Sequence, residues 1–145
     1  MNKKRLTIIL LVCLFLIIIF IISAFIINLT SKAKLYKCYY YQENYNDQNI
    51  NIIDKYQYFN LELKKDKTFT LKYAVKGSSD KTKIGGVFSD KNNIITLIFV
   101  ERPIEFILFE SLEFVRVGNE LYCHQSVTID DSTITITLKF KKAIF

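Results

Sequence analysis

Hydrophobic and polar positions divide this chain into two regions with different rhythms. From Leu6 to Leu29 it reads LTIILLVCLFLIIIFIISAFIINL, in which only Thr7, Ser23 and Asn28 are polar and none is charged. A soluble amphipathic helix keeps a polar stripe, whereas this segment is apolar all round. As a helix rising about 1.5 Å per residue it reaches roughly 36 Å, longer than the roughly 30 Å hydrocarbon core of a bilayer. The pattern predicts a transmembrane helix over 6–29, a basic head over 1–5, a linker over 30–34 and a folded domain over 35–145.

Beyond Thr30 the period changes from helical to two. Phe59, Leu61 and Leu63 alternate with Tyr58, Asn60, Glu62 and Lys64. Phe69, Leu71, Tyr73 and Val75 alternate with Thr68, Thr70, Lys72 and Lys76, and Ile134, Ile136, Leu138 and Phe140 with Thr133, Thr135, Thr137 and Lys139. Each pattern describes a strand with one face on a core and the other in water. Further strands are expected at Leu35–Tyr41, Ile84–Phe88, Ile94–Val100, Ile104–Phe109, Leu112–Val117 and Leu121–Val127.

Turn residues separate these runs at Gly77-Ser78-Ser79-Asp80, Asp90-Lys91-Asn92-Asn93, Gly118-Asn119 and Asp130-Asp131. Lys65-Asp66-Lys67 joins two strands whose inward residues share parity. A three-residue loop there pairs Leu63 with Phe69 and keeps both inside. Pro103 marks a turn or strand start. The polar stretch Glu43–Asp54 reads as one long loop. The fold class expected is therefore all-β: an N-terminal transmembrane helix followed by an antiparallel meander of about eight strands closing as a small barrel or sandwich.

Charge and composition sharpen this picture. Twelve Phe and nine Tyr supply ample core, and four Gly, one Pro and three Cys exclude collagen-like, linker-like and disulfide-dense classes. The net charge is +6, of which Lys3, Lys4 and Arg5 supply half. The remaining excess is mixed in sign, without the focused basic stripe that nucleic-acid binding needs, so no nucleic-acid partner is expected. A mild attraction to anionic lipid or cell-wall polymer fits better. The basic head directs the N-terminus to the cytoplasm and the domain outward, although Lys32, Lys34 and Lys37 flank the other side. The expected location is the cell membrane, single-pass, with the C-terminal domain extracytoplasmic. The length of the apolar run favours an uncleaved signal anchor, and Ser31-Lys32-Ala33 offers the alternative of cleavage near Ala33 and a secreted barrel.

Candidate chemistry is sparse. One histidine excludes multi-imidazole metal sites within a single chain. His124 follows Cys123, but adjacent strand residues point to opposite faces, so the two do not form a nucleophile–base pair. The carboxylates Glu110 with Glu113 and Asp130-Asp131 read as solvated faces and turns. No phosphate loop or nucleophile elbow is present. No catalytic residue, metal site or cofactor is therefore assigned. Cys38 and Cys123 are candidates for one disulfide in an oxidising compartment, or else two small buried hydrophobes. Among the tyrosines clustered between 36 and 58, Tyr39, Tyr41, Tyr45, Tyr56 and Tyr58 form a candidate interaction surface.

The string Tyr58-Phe59-Asn60-Leu61-Glu62-Leu63-Lys64-Lys65-Asp66-Lys67-Thr68-Phe69 resembles the L-x-L-x-x-D-G-T-F hairpin of small lipocalin-like barrels in exported or membrane-anchored bacterial proteins. Gly86-Val87-Phe88 with Asn92-Asn93-Ile94-Ile95-Thr96-Leu97 is similar to the G-x-W … N-x-I-x-L that follows, and Val117-Gly118-Asn119-Glu120-Leu121 to the late G-x-x-L hairpin. Lys67 stands where that pattern has glycine and Phe88 where it has tryptophan. The resemblance implies a barrel and export, and no ligand. Together these features suggest a membrane-anchored, extracytoplasmic, lipocalin-like binding or interaction module without catalytic activity, or an accessory structural subunit of a cell-envelope complex. Its partners would be the bilayer through 6–29 and either a small apolar ligand or an envelope protein. An empty interior lined by Phe and Ile would favour the ligand. A filled interior with an exposed Tyr or Ile patch would favour the protein.

Overall fold

The structure, a computed structural model, describes residues 3–30 and 33–144, with the side chains of the helix described at 12–24 and 26. The chain divides into two compact units, Met1–Lys32 and Ala33–Phe145. The first holds α1 (Lys3–Thr30), a continuous helix. Its polar Ser23 donates its hydroxyl to the Ile19 carbonyl at 2.7 Å, which satisfies the side chain within its own helix. On the described residues alone, no helix is long and apolar enough to cross a membrane, so the anchor stands on the sequence. Ser31 and Lys32 of the cleavage motif lie outside the described residues.

The second unit is a closed antiparallel barrel. Its strands are β1 (Lys34–Tyr45), β2 (Gln48–Asn51), β3 (Tyr56–Leu63), β4 (Thr68–Val75), β5 (Lys81–Lys91), β6 (Ile94–Phe99), β7 (Leu112–Val117), β8 (Glu120–Ile129) and β9 (Ser132–Lys142). Consecutive strands from β3 to β9 pair in order, and β1 closes the circuit by pairing with both β3 and β9. Eight strands thus form the wall, and closure leaves the barrel without a long free edge. The ninth, β2, folds back on the far half of β1, where β1 has parted from β3.

Strand parity follows the alternation in β3 and β9, but in β4 Thr70 and Ala74 are buried as well and Val75, expected inside, is 42% exposed. Phe59, Leu61, Leu63, Phe69, Leu71, Tyr73, Ile136, Leu138 and Phe140 are all buried. Leu63 pairs with Phe69 across the three-residue loop. The Lys64 N–H donates to Thr68 O at 2.9 Å, and Lys67 takes the left-handed conformation with φ 65°. That backbone favours glycine, the residue that the resembled pattern carries where this chain has Lys67.

Two stretches differ from the expected elements. Glu43–Asp54 is not a loop. Strand β1 runs on to Tyr45, Asn46 and Asp47 both adopt positive φ (47° and 65°), and β2 returns as a hairpin. Two left-handed residues make the turn whose twist matches a two-residue hairpin. Ile104–Phe109 is not a strand but a 3-10 turn over Ile104–Phe106 within the connection from β6 to β7. Pro103 has no N–H for a ladder, and burial falls on Phe106 and Phe109, three residues apart, as one helical turn requires.

Candidate functional site

The barrel interior is packed with rings. Tyr41, Phe59, Phe69, Phe106, Phe114 and Phe140 are each essentially inaccessible. Phe106 reaches into the far mouth from the β6–β7 connection, its ring centroid 5.9 Å from Tyr41, 6.3 Å from Phe59 and 6.0 Å from Phe99. Offset and tilted contacts of this kind are the arrangements that aromatic rings prefer in a core. Beside this plug, Tyr41 donates its hydroxyl to Glu43 Oε1 at 2.7 Å and Tyr73 donates to Glu105 Oε2 at 2.7 Å. Tyr56 lies between them, 6.3 Å from Tyr41 and 5.4 Å from Tyr73. Burial pushes the Tyr56 hydroxyl up to about 12. Burial, and then the carboxylates that accept their protons, raise Tyr41 and Tyr73 further. All three hydroxyls thus keep their protons at neutral pH, and the Tyr41–Glu43 and Tyr73–Glu105 hydrogen bonds close the mouth.

The expected tyrosine surface is split by two β-bulges. The register of β1 against β9 shifts between Cys38 and Tyr40, and that of β3 against β4 between Tyr56 and Tyr58. Each extra residue resets the parity, turning Tyr41 and Tyr56 into the core. Tyr39 and Tyr45 remain about half exposed. They lie six residues apart on β1, roughly 20 Å along an extended strand, and so do not form one patch. Tyr58, on β3, is partly covered.

The disulfide is corrected as well. Cys38 and Cys123 are free thiols. Both β1 and β8 pair with β9, which therefore runs between the two cysteines. Two strand spacings amount to about 9.5 Å, beyond the roughly 7 Å Cα separation that a disulfide spans. Burial raises both thiols to about 12. Cys123 faces the core and His124 is exposed, on opposite faces as strand geometry requires.

What the barrel does present is a continuous outer face on β6, β7, β8, β9 and β1. Cross-strand pairing aligns Ile94, Val115, Tyr122, Lys139 and Tyr40 in one row. Ile94, Val115 and Tyr122 are each 40–48% exposed. The Lys139 ammonium bridges the row, 4.8 Å from the Tyr40 ring centroid and 5.4 Å from that of Tyr122. Cation–π contacts of this kind hold a long side chain flat against its neighbours. Beside the row lies a polar groove of about 600 Å³, bounded by the overhanging β1–β2 hairpin and lined by Gln42, Asn44, Asn49, His124, Thr135 and Thr137. Its floor is a ladder of paired polar groups: Ser126 Oγ with Thr135 Oγ1 at 2.8 Å, His124 Nδ1 with Thr137 Oγ1 at 2.9 Å, and the Asn44 amide donating to Asn49 Oδ1 at 2.9 Å. The sequence marks these threonines as outward-facing. It does not reveal the groove, whose wall is the hairpin read there as a loop. Asp47 and Asp131 also line the groove. An apolar strip beside such polar donors and acceptors matches the make-up of a protein-contact surface. Among the described residues no cluster of His, Cys, Asp and Glu is arranged to hold a metal ion. No family model matches the chain, and no curated protein is significantly similar to it.

Proposed function

We propose that this chain is a membrane-anchored, extracytoplasmic, lipocalin-like interaction module, acting as an accessory component of an envelope assembly through its outer face and without catalysis. The observation that carries this reading is the interior: buried rings pack against one another from Phe140 through Phe59 to the Phe106 plug, where a ligand-binding barrel would keep its cavity. Binding is thereby left to the outside, where the Ile94–Val115–Tyr122 row adjoins the polar groove. The anchor is supported by the uninterrupted apolar run over 6–29 and by the continuity of α1 through it. The basic head supports the outward orientation of the barrel.

The test is position-resolved photocrosslinking in cells. A photoreactive residue replacing Val115 or Thr135 is expected to yield a discrete higher-mass adduct. The same residue at Lys83, on the outer face of β5, is expected to give none. Adducts equal at all three positions, or absent at all three, would overturn the proposal.

A further inference from the structure

The barrel's charge is segregated along its axis. The chain enters at Lys34, and pairing puts four other features at the same end: the tip between β3 and β4, the tip between β5 and β6, the tip between β7 and β8, and the segment after β9. Backbone bonds tie this end together, with the Lys142 N–H donating to Asn119 O and the Ala143 N–H donating to Leu35 O, both at 2.8 Å. Residues 34–37, 64–67, 90–93, 116–120 and 141–142 hold nine basic and three acidic side chains. Each of the three acids already has a partner. Asp66 accepts from Thr68 N–H and Oγ1, Asp90 from Arg116 at 2.7 Å, and Glu120 from Tyr39. At the opposite end, residues 45–55, 76–81, 100–111 and 130–131 hold eight acidic and four basic side chains. Two exposed apolar side chains, Val117 (66%) and Ile144 (85%), stand among the entry-end lysines.

We infer that the entry end of the barrel is a docking surface for anionic lipid headgroups. The inference rests on the anchored reading above, and adds to it a face and a lipid class. Three observations select this occupant. Only residues 31–33 separate the last turn of the apolar helix from Lys34, so a bilayer holding that helix lies within a few residues of this end and not of the acidic one. Lysines beside an anionic surface are attracted to it over about a Debye length. Ile144 beside Lys141 and Lys142, and Val117 across the Asn119 tip, give the basic end an apolar component that suits the headgroup boundary better than a soluble polyanion. The acidic far end is repelled by the same surface, so the charge axis sets the barrel upright. Attraction acts at either leaflet, provided it is anionic.

The test is hydrogen exchange on the full chain reconstituted into vesicles of neutral phosphatidylcholine alone or with one-third phosphatidylglycerol, after flotation. In anionic vesicles, amides of 65–67, 91–93 and 117–119 are expected to exchange about tenfold more slowly than in neutral ones. Amides of 77–80 and 130–131 should not change. High salt, or Lys64, Lys65, Lys67, Lys141 and Lys142 all replaced by Gln, should abolish the difference. Equal exchange in both vesicles, or protection at both ends, would overturn the inference and leave the anchor intact. A chain that floats with neither vesicle would overturn the anchor, and this inference with it.

Discussion

Gly86 is where one added methyl group should be felt most. It is buried in β5, paired with Phe69 on one side and Phe99 on the other, and those two rings meet edge to face over it at 5.2 Å. A Cβ at this position would stand 2.1 Å from the Ile98 carbonyl oxygen and 2.6 and 2.9 Å from Phe69 ring carbons. The ring is boxed in by the core, and the carbonyl belongs to β6, so neither can yield without opening the β5–β6 ladder. Overpacking alone costs about 1–3 kcal/mol, and each ladder bond lost adds about 1 kcal/mol. Gly86→Ala should therefore destabilise the barrel by about 3 kcal/mol or more. Gly85 is the matched control. It is exposed, and its added Cβ meets only Phe69 O at an ordinary 3.5 Å. Gly85→Ala should change stability by less than about 1 kcal/mol, toward stabilisation through a stiffer unfolded chain. Urea midpoints of the full chain in mild detergent, followed by near-ultraviolet circular dichroism, measure both variants. Equal midpoints for the two would refute the inward direction of Gly86 and the register that sets it.

Other outcomes follow from the same packing. Phe106→Ala should lower stability by about 3–5 kcal/mol and open the far mouth, read as a lower urea midpoint together with new binding of a small aromatic probe. An unchanged midpoint would show that Phe106 is not a plug. Lys67→Gly should raise stability by about 0.5 kcal/mol, because relief of the left-handed backbone outweighs the loss of the Lys67–Phe88 cation–π contact at 5.3 Å. A lower melting temperature would contradict that balance. The raised tyrosines make the fold sensitive to alkali. Their protons are held in the folded state while unfolded tyrosines ionise near pH 10, so this contribution is complete below about pH 10 and declines as pH rises toward 12 and above. Tyrosinate absorbance should show Tyr41, Tyr56 and Tyr73 titrating only with unfolding, and three groups titrating at pH 10 without unfolding would exclude their burial. Cys38 and Cys123, raised to about 12, should resist maleimide at neutral pH until urea is added. Rapid labelling of the folded barrel would reverse that assignment.

Much of the wall was legible in the sequence because one-sided burial imposes a strict period of two. Phe59–Leu63 and Ile136–Phe140 show it plainly, and the shared parity across Lys65–Lys67 was enough to assign the loop length; in β4 Thr70 is buried too, which a polar side chain in an alternating run does not announce. The bulges were not legible. In Tyr39-Tyr40-Tyr41 three identical side chains carry no alternation, so nothing there reports that the faces have exchanged. The same parity change brought Tyr41 and Tyr56 inward and dissolved the expected tyrosine surface. The β1–β2 hairpin was hidden because β2 buries none of its residues, leaving Asn46-Asp47 as the only local signal. For the plug a signal was present: Phe106 and Phe109 are three apart, which suits a turn better than a strand. The outer row and groove needed the register of five strands, which lies in long-range pairing and not in any one segment.

The central claim is a barrel held at the membrane with its outer face outside the cell. The most direct measurement is alkaline carbonate extraction combined with labelling of intact cells by a membrane-impermeant amine reagent. The expected result is full-length chain in the membrane pellet, labelled before lysis on the exposed Lys76, Lys81 and Lys83. Chain released by carbonate, or lysines that label only once the cells are broken, would contradict it.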